Sequence, residues 1–223
     1  MYKSNELIKF PVIILSKPQL GQNIGSVARV MENFCFEELR LVNPRDGWPN
    51  NDVQSTAAGA TKIINNVKVF NSIQQASQDI NILISTTARK RVFNIREINI
   101  EEALLKSQIN KKENGKVAFL FGPENSGLSN EEIVLSDFTF SIPVNSNFSS
   151  LNLSHAVMLV CWEFYKKNVL GNFKSNKIKI KKVYELATNK EKEFFFERLN
   201  QFLVKSNFFH SQKMETSIMK NIR

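Results

Sequence analysis

The most informative stretch of the chain is residues 117–129, which read Val-Ala-Phe-Leu-Phe-Gly-Pro-Glu-Asn-Ser-Gly-Leu-Ser. Its first five residues form a short apolar run that is typical of a buried strand. The glycines that follow let backbone groups come close to a ligand. Loops at the carboxyl ends of parallel strands build ligand sites, so this stretch predicts a binding loop. An ordinary turn stabilised by glycine and proline is the alternative for the segment on its own.

Similar short apolar runs recur along the chain and predict the other strands. They lie at 10–15, 39–42, 67–70, 80–85 and 138–144. Helical patterns lie between several of them, at 23–34, 72–78, 100–107, 130–135 and 151–165. Strands that alternate with helices predict an α/β fold in which a mostly parallel sheet carries helices on both faces.

The composition is that of a folded protein without a membrane span. Of the 223 residues, 42% are hydrophobic and 23% are charged, as in ordinary globular domains. No apolar run approaches the roughly 18 residues of a membrane helix, and the first residues lack the apolar core of a signal peptide. We therefore expect a cytoplasmic protein with no membrane partner.

The charge balance favours a polyanionic partner. The chain has 30 Lys and Arg residues against 21 Asp and Glu, which gives a formal net charge of +9. Such an excess suits nucleic acid, because each neutralised phosphate releases counterions. A surface that is merely solubilised by lysines is the alternative.

The two cysteines, Cys35 and Cys161, show neither Cys-x-x-Cys nor Cys/His spacing. This pattern predicts no disulfide and no zinc site. Because both lie in apolar surroundings, they are predicted to be buried thiols.

A change of texture after Leu170 predicts the domain organisation. The expected units are a main domain at 1–170, a basic linker at 171–187 and a helical extension at 188–223. Thr188 and Glu191 form a capping box for an amphipathic helix, and a second helix is predicted from about Ser211. The Phe194-Phe195-Phe196 run could stack on bases, but its helical spacing favours core packing. We expect the extension to be truncated.

Three separated segments carry the signature of one family. The first is Asn23-Ile24-Gly25-Ser26-Val27-Ala28-Arg29, the second is the loop at 121–128, and the third is Ile142-Pro143 with Ser149-Ser150-Leu151-Asn152-Leu153. In this order they resemble the motifs of the SpoU/TrmH (SPOUT) family of RNA 2′-O-methyltransferases. The resemblance covers residues 10–170 and extends to Leu41-Val42-Asn43-Pro44 and Ala57-Ala58-Gly59-Ala60.

The resemblance implies how a methyl donor would be held. In this family a C-terminal trefoil knot wraps S-adenosylmethionine, so the knot is expected in addition to the parallel sheet. The matching donor contacts are Thr86, Thr87, Ala88, Gly122, Ile142, Ser149, Ser150 and Leu151. From the residues alone, Ser149 and Ser150 are also expected to cap the helix that begins near Leu151. Periodicity does not predict a knot, because knots are rare exceptions to ordinary topology.

The resemblance also implies which side chains act on the substrate. Arg29 matches the residue nearest the ribose hydroxyl, where it either assists deprotonation or binds the adjacent phosphate. A guanidinium has a pKa above about 12, so phosphate binding is the easier role. The other polar positions match Ser150, Glu124, Asn23 and Asn152, which are expected to assemble the site and to position the ribose. Methyl transfer depends mainly on placement, so no metal is expected.

Two further features concern partners. Arg89, Lys90 and Arg91 follow the strand that should end at the donor site, so they are predicted to bind RNA together with Arg29. Ordinary solvated charge is the alternative for them. The helix at 151–164 is apolar nearly all round and is predicted to lie in a homodimer interface.

Within the family, the motifs are most similar to those of the TrmJ group. This similarity implies a homodimer that acts on tRNA and uses residues of both subunits in each site. It also implies 2′-O-methylation of the first nucleotide of the anticodon loop, position 32 of tRNA, at cytidine or uridine. Methylation of another tRNA or rRNA ribose is one alternative. A non-catalytic RNA-binding or assembly protein with the same fold is another, and donor binding would distinguish it.

Overall fold

The computed structural model describes residues 10–88, 95–111, 115–170 and 186–222. Within these ranges the strands are β1 (Val12–Ser16), β2 (Leu39–Val42), β3 (Lys68–Phe70), β4 (Ile82–Thr86), β5 (Glu97–Ile98), β6 (Val117–Phe121) and β7 (Phe138–Phe140). The helices are α1 (Gly21–Asn33), α2 (Asp52–Ala57), α3 (Thr61–Asn65), α4 (Ile73–Ala76), α5 (Ile100–Lys111), α6 (Asn130–Ile133), α7 (Leu153–Asn168), α8 (Asn189–Lys205) and α9 (Gln212–Ile222).

The strands of the described ranges form one seven-stranded sheet, in the order β3-β2-β1-β6-β4-β7-β5. All the pairings between them are parallel. Parallel neighbours cannot be joined by a tight hairpin, so the chain crosses from strand to strand mostly through helices. The predicted α/β fold with a parallel sheet is confirmed.

Side chains of the central strands alternate between two hydrophobic cores, one on each face of the sheet. In β1, Ile13 and Leu15 enter the larger core, whereas Val12 and Ile14 enter the smaller one. Residues of α1, α2, α3, α5 and α7 fill the larger core, and residues of α4 and α6 fill the smaller one. The predicted placement of helices on both faces is therefore confirmed, and the alternation follows from the period of two along a strand.

Several elements have the predicted bounds and others were missed. β2 and β6 match the predicted runs residue for residue, and α1 begins two residues before the predicted start. The sequence did not predict α2, α3 or β5, because each has six residues or fewer and too few apolar positions to show a period. In α2, for example, the buried side chains are Val53 and Ala57.

Close packing of α1 on α2 explains one glycine of the first motif. A Cβ atom added to Gly25 would overlap the hydroxyl oxygen of Thr56 and the backbone carbonyl oxygen of Val53. The backbones of the two helices therefore approach each other at a distance that only glycine permits. The role of Gly25 is to allow this packing.

The helix α8 begins with the predicted capping box. The side chain of Thr188 accepts a hydrogen bond from the Glu191 N–H, and the Glu191 carboxylate accepts one from the Thr188 N–H, so the capping box of α8 is present. α9 begins at Gln212, and the Ser211 hydroxyl accepts a hydrogen bond from the Met214 N–H. Most of the predicted linker, 171–185, lies outside the described residues.

The first turn of α8 attaches the extension to the sheet. The Asn189 N–H donates to the Ile80 carbonyl at 2.8 Å, and Lys192 Nζ lies 2.6 Å from Asp137 Oδ1. Farther along the helix, Phe194 and Phe195 are 60% and 59% exposed. The prediction that these two rings pack in a core is wrong, because they lie beyond the turn that contacts the sheet.

The two thiols differ in their surroundings. Cys161 is buried in the larger core, and burial raises the pKa of its thiol. Cys35 is exposed, which contradicts the prediction. It follows the end of α1 with φ of +62°, and this left-handed residue turns the chain away from the helix.

No helix within the described ranges is long and apolar enough to cross a membrane. In those same ranges, no three His, Cys, Asp or Glu side chains come together as a metal-binding group.

A buried arginine organises charge at the amino edge of the sheet, where the strands begin. Arg40 on β2 is 2% exposed. Its guanidinium donates to Asp79 Oδ1 at 2.5 Å, to Glu38 Oε1 at 2.6 Å and to the Ala76 carbonyl at 2.6 Å. Partial burial alone would raise the pKa of Glu38 and Asp79, but Arg40 and neighbouring lysines outweigh it and lower both pKa values.

Arg40→Ala is expected to lower the free energy of unfolding at pH 7 by about 3 kcal/mol, because the two carboxylates lose the buried cation that they surround. Carboxylates with lowered pKa values stabilise the fold above their unfolded pKa, and this contribution is lost as the pH falls. The deficit of the variant should therefore shrink below about pH 4 in urea titrations followed by circular dichroism. Lys62→Ala, which removes an exposed pair with Glu37, is the control and should leave the free energy of unfolding close to that of wild type. A deficit for Arg40→Ala that does not change with pH would contradict this account.

Candidate active site

A cavity of about 190 Å³ opens at the carboxyl edge of the sheet, where β4, β6 and β7 end. These strands are neighbours, so the segments that follow them meet at one place. All the residues predicted as donor contacts line this cavity, namely Thr86, Thr87, Ala88, Gly122, Ile142, Ser149, Ser150 and Leu151. Glu124 lines it as well. The structure therefore brings together residues that are up to 65 positions apart, from Thr86 to Leu151.

The loop at 122–128 folds back on itself to form one wall. The Gly127 N–H donates to the Pro123 carbonyl at 2.8 Å, and Gly127 has φ of +65°. A Cβ atom on Gly122 would overlap the backbone of Gly127 and Leu128. Glycine is required at 122 because the two ends of the loop touch there.

A second wall is the segment at 86–88, which is fixed between two strands. The Thr86 hydroxyl donates to the Leu120 carbonyl at 3.0 Å, on the β6 side. The Thr87 N–H donates to the Phe140 carbonyl at 3.0 Å, and the Ser141 hydroxyl donates to the Thr87 carbonyl at 2.7 Å. These bonds hold the backbone of the segment in place beside the cavity.

Apolar side chains complete the cavity, and the sequence did not identify them as site residues. They are Phe121, Leu128, Phe140, Leu153 and Ala156. Phe121 and Phe140 are the last residues of their strands, where a side chain can face both the core and the loops. An apolar patch beside a few polar groups is the usual make-up of a small-molecule site. Phe121 ends a predicted apolar run, but Phe140 lies inside the predicted run at 138–144, so no sequence signal marked it as a wall residue.

Glu124 connects the predicted polar residues. Its Oε1 accepts a hydrogen bond from Asn23 Nδ2 at 2.6 Å, and its Oε2 accepts one from the Gln19 N–H at 2.9 Å. Asn23 Oδ1 in turn accepts a hydrogen bond from Asn152 Nδ2 at 3.1 Å. The structure thus joins Asn23, Glu124 and Asn152 in one chain of hydrogen bonds, although one residue comes from each motif.

Asn152 has a second role as the N-cap of α7. Its Oδ1 accepts hydrogen bonds from the Ser154 N–H at 2.9 Å and from the Ser154 hydroxyl at 2.7 Å. The predicted capping of this helix by Ser149 and Ser150 is therefore wrong, since α7 begins at Leu153. The two serines lie earlier, in the loop that lines the cavity.

A buried carboxylate that the sequence did not identify supports the same edge. Glu132 Oε1 accepts hydrogen bonds from the Ser16 hydroxyl at 2.9 Å and from Lys17 Nζ at 3.0 Å, while Oε2 accepts the Ser129 N–H at 2.8 Å. Burial alone would raise the pKa of Glu132, but these donors outweigh it and lower the pKa. The Ser129–Glu132 capping box makes Glu132 a structural anchor behind the 122–128 loop.

Arg29 is not part of the hydrogen-bonded group of Asn23, Glu124 and Asn152 in its own chain. It is exposed on α1 and does not line the cavity. Six residues separate it from Asn23, which places it about 9 Å along the helix axis and on another face. The described residues offer it no hydrogen bond or ion pair. Arg89, Lys90 and Arg91 lie outside the described residues.

Comparison with known proteins identifies the family. A family model described as the SpoU rRNA Methylase family matches residues 11–162, which include all three motifs. The chain belongs to the SpoU methylase family. The recognition of this family from the three motifs is thus confirmed.

Relatives of the chain within the SpoU methylase family include proteins named TrmJ. The tRNA (cytidine-2′-O-)-methyltransferase TrmJ of Methanocaldococcus jannaschii is 34% identical over 204 residues, which cover 91% of this chain and 85% of the relative. The crystal structure of TrmJ from Z. mobilis ZM4 is 35% identical, with a TM-score of 0.82 over 96% of this chain and 88% of that one. A fold of lower similarity is AviRb of Streptomyces viridochromogenes, solved in complex with AdoMet, at 19% identity and a TM-score of 0.55 over 75% of this chain and 64% of that one.

Asn152→Ser is expected to separate the two roles of this side chain. Serine is a good N-cap, so the variant should keep the stability of wild type within about 0.5 kcal/mol in thermal melts. The variant loses the amide that donates to Asn23. We expect the rate of the reaction catalysed at the site to fall about tenfold or more, because the linked side chains are misplaced. Asn152→Ala should lose the same activity and, in addition, about 1 kcal/mol of stability. Full activity in Asn152→Ser would show that the bond to Asn23 does not matter.

Proposed function

We propose that the protein transfers the methyl group of S-adenosylmethionine to the 2′-hydroxyl of a ribose in tRNA. The observation that carries this proposal is the convergence of all the motif residues predicted to contact the donor on one cavity, beside the Asn23–Glu124–Asn152 chain. Membership of the SpoU methylase family and 34% identity to a tRNA (cytidine-2′-O-)-methyltransferase support it.

The cavity has the features that this donor needs. Its apolar wall suits the flat adenine ring, and its backbone-rich loops offer N–H and C=O groups to the polar parts of the molecule. Gly122 lets the two ends of the loop touch, and the closed loop is the wall against which the donor would lie. The AdoMet complex of AviRb, which shares the fold, supports the same assignment. When bound, the donor supplies an activated methyl group on sulfur.

The residues of this chain would contribute placement rather than covalent chemistry. Glu124 is held by two donors, so its carboxylate is fixed in orientation beside the cavity. Ser150 is exposed on the cavity wall, where its hydroxyl can contact an incoming ribose. Holding the hydroxyl oxygen and the methyl carbon in line is the largest contribution that such a site can make. We assign this positioning to Ser150, Glu124, Asn23 and Asn152.

We further propose that the segments at 86–88, 122–128 and 142–151 form the trefoil knot of the family. They leave three adjacent strands and meet at one cavity, which supports this proposal. We also propose that the chain divides into a main domain at 1–170, a linker at 171–187 and an extension at 188–223. Arg89, Lys90 and Arg91 are proposed to bind RNA. A cytoplasmic location follows from the tRNA substrate.

A homodimer would explain the position of Arg29. An exposed stripe runs along α7 and consists of His155, Met158, Leu159 and Trp162, with spacing i, i+3, i+4, i+7. The three apolar members are each 37–38% exposed. Phe34, just after α1, contacts Trp162 with ring centroids 5.9 Å apart, so α1 and the stripe share one side of the molecule. We propose that two copies pair through this side and that Arg29 of each copy binds a phosphate at the other copy's cavity.

Leu159→Glu is expected to convert the dimer to a monomer in light scattering at micromolar concentration, because it places a charge in the middle of an apolar interface. Phe202→Glu, on an exposed position of α8, is the matched control and should leave the dimer intact. A wild-type monomer, or a dimer that Leu159→Glu does not change, would exclude this interface.

The proposed activity is tested by incubating the protein with labelled S-adenosylmethionine and unmodified total tRNA. The product is mapped by nuclease digestion and mass spectrometry. A 2′-O-methyl group on the first nucleotide of the anticodon loop is the expected result. A methylated ribose elsewhere in tRNA, or in rRNA, would keep the chemistry and change the substrate. No transfer and no donor binding in calorimetry would refute the proposal.

Arg29→Ala is expected to abolish transfer while leaving donor affinity and thermal stability near wild type, because Arg29 lies outside the cavity. Mixing Arg29→Ala with Glu124→Ala, each inactive alone, tests whether Arg29 acts across the interface. Mixed dimers then contain one intact site and should recover part of the activity. Recovery would not occur if Arg29 served the cavity of its own chain.

A further inference from the structure

The loop at 43–50 lies at the same edge of the sheet as the cavity but has no part in the function proposed above. It follows β2 at the carboxyl edge of the sheet. The Asn43 N–H donates to the Phe70 carbonyl at 3.0 Å, and the Arg45 N–H donates to the Pro18 carbonyl at 3.1 Å. Trp48 packs against the larger core. The backbone of this loop is therefore held at several points.

Arg45 projects from this loop with its guanidinium paired to the carboxylate of the next residue. Its Nε lies 2.7 Å from Asp46 Oδ1 and its Nη2 lies 2.9 Å from Asp46 Oδ2, which makes a two-pronged pair. Both side chains remain exposed, at 50% and 39%. The pair occupies one edge of the guanidinium. Within the described ranges, Nη1 on the other edge makes no hydrogen bond, so that edge faces solvent and can donate to a ligand.

The Arg45–Asp46 pair contributes less to stability than the nearby ion pair of Lys17. Lys17 Nζ is bound to Glu132, a buried carboxylate that needs a cation. Asp46 is exposed, and water would stabilise its charge without help from Arg45. Exposed pairs of this kind contribute little to stability. Arg45 is therefore available for another partner, whereas Lys17 neutralises a buried carboxylate and stabilises the fold.

The backbone contacts connect Arg45 to the polar residues of the site. Pro18, which accepts the Arg45 N–H, directly precedes Gln19, whose own N–H donates to Glu124. The pKa of Arg45 lies above its ordinary value, chiefly because of the hydrogen bond to Asp46, and the charge of Glu124 adds to the effect. Arg45 thus lies on the same rim as the carboxylate that faces the cavity.

We propose that Arg45 binds a phosphate of the RNA strand next to the ribose that enters the cavity, and that Asp46 orients its guanidinium for this contact. This inference rests on the proposed function, because it takes RNA as the substrate. Asp46 occupies the Nε–Nη2 edge of the guanidinium, which leaves the Nη1 edge to bind phosphate through a second pair of N–H groups. The net charge of +9 favours the same partner.

The test compares Arg45→Ala and Arg45→Lys with wild type in tRNA binding at several salt concentrations. Arg45→Ala is expected to weaken tRNA binding about tenfold and to lower the slope of log affinity against log salt by about one, as for one lost phosphate contact. Arg45→Lys should restore the slope and only part of the affinity, because it keeps the charge and loses the fork. Donor affinity in calorimetry should not change. In methyl transfer, KM for tRNA should rise more than kcat falls.

The matched control is Arg96→Ala. Arg96 also forms an exposed pair, with Glu102 at 2.9 Å, but it precedes β5 at the amino edge of the sheet. The Arg96→Ala variant should bind tRNA with the affinity of wild type. If wild type methylates tRNA and Arg45→Ala binds it as Arg96→Ala does, the role of Arg45 is refuted while the proposed function stands. A parallel loss of donor affinity in Arg45→Ala would also refute it, because the residue would then act through the cavity. A wild-type protein without salt-dependent affinity for tRNA would refute both.

Discussion

The carboxylate of Glu124 holds the site together. One of its oxygens binds a backbone N–H at Gln19, and the other binds the side chain of Asn23, 101 residues away in sequence. Asn23 then binds Asn152, at the start of α7. A single charged group thus fixes the relative positions of the first helix, the glycine loop and the last helix of the main domain. Hydrogen bonds to an ionised group are among the stronger ones, so this arrangement is well suited to hold a precise geometry.

The parallel sheet carries stabilising ion pairs at the edge opposite the site, although Glu132 anchors the site edge itself. At the amino edge, Arg40 forms ion pairs with Glu38 and Asp79. The first turn of α8 attaches to the same edge through the ion pair of Lys192 with Asp137. At the carboxyl edge lie the cavity and its loops. In parallel sheets all strands point the same way, so the loops that follow the strands lie together at the carboxyl edge and build ligand sites there. Substitutions at the amino edge therefore act on stability first.

Much of the sheet and the cavity could be predicted because the controlling signals are local. The apolar run of β6 and the glycines after it lie within 13 consecutive residues, 117–129. The motif resemblance then supplied the residues that the cavity brings together. The apolar wall could not be predicted, because the side chain of Phe140 meets the loops only through the order of strands in the sheet.

Other failures have a similar cause in tertiary structure. Asn152, rather than Ser149 or Ser150, caps α7, because the helix begins two residues later than its apolar pattern suggests. Phe194 and Phe195 have the spacing of core residues, yet the contacts of α8 with the sheet are made by an earlier turn. Periodicity identifies an apolar face and does not say what covers it.

The double role of Asn152 makes α7 more than a structural support. The same side chain caps the start of the helix and binds Asn23, while the outer face of the helix carries exposed Met158, Leu159 and Trp162. A partner that shifts the start of α7 when it covers this face changes the affinity of the cavity for its ligand. Thermodynamic reciprocity then requires that the ligand change the affinity for the partner by the same factor. Any assembly that moved Asn152 would in this way be coupled to ligand binding.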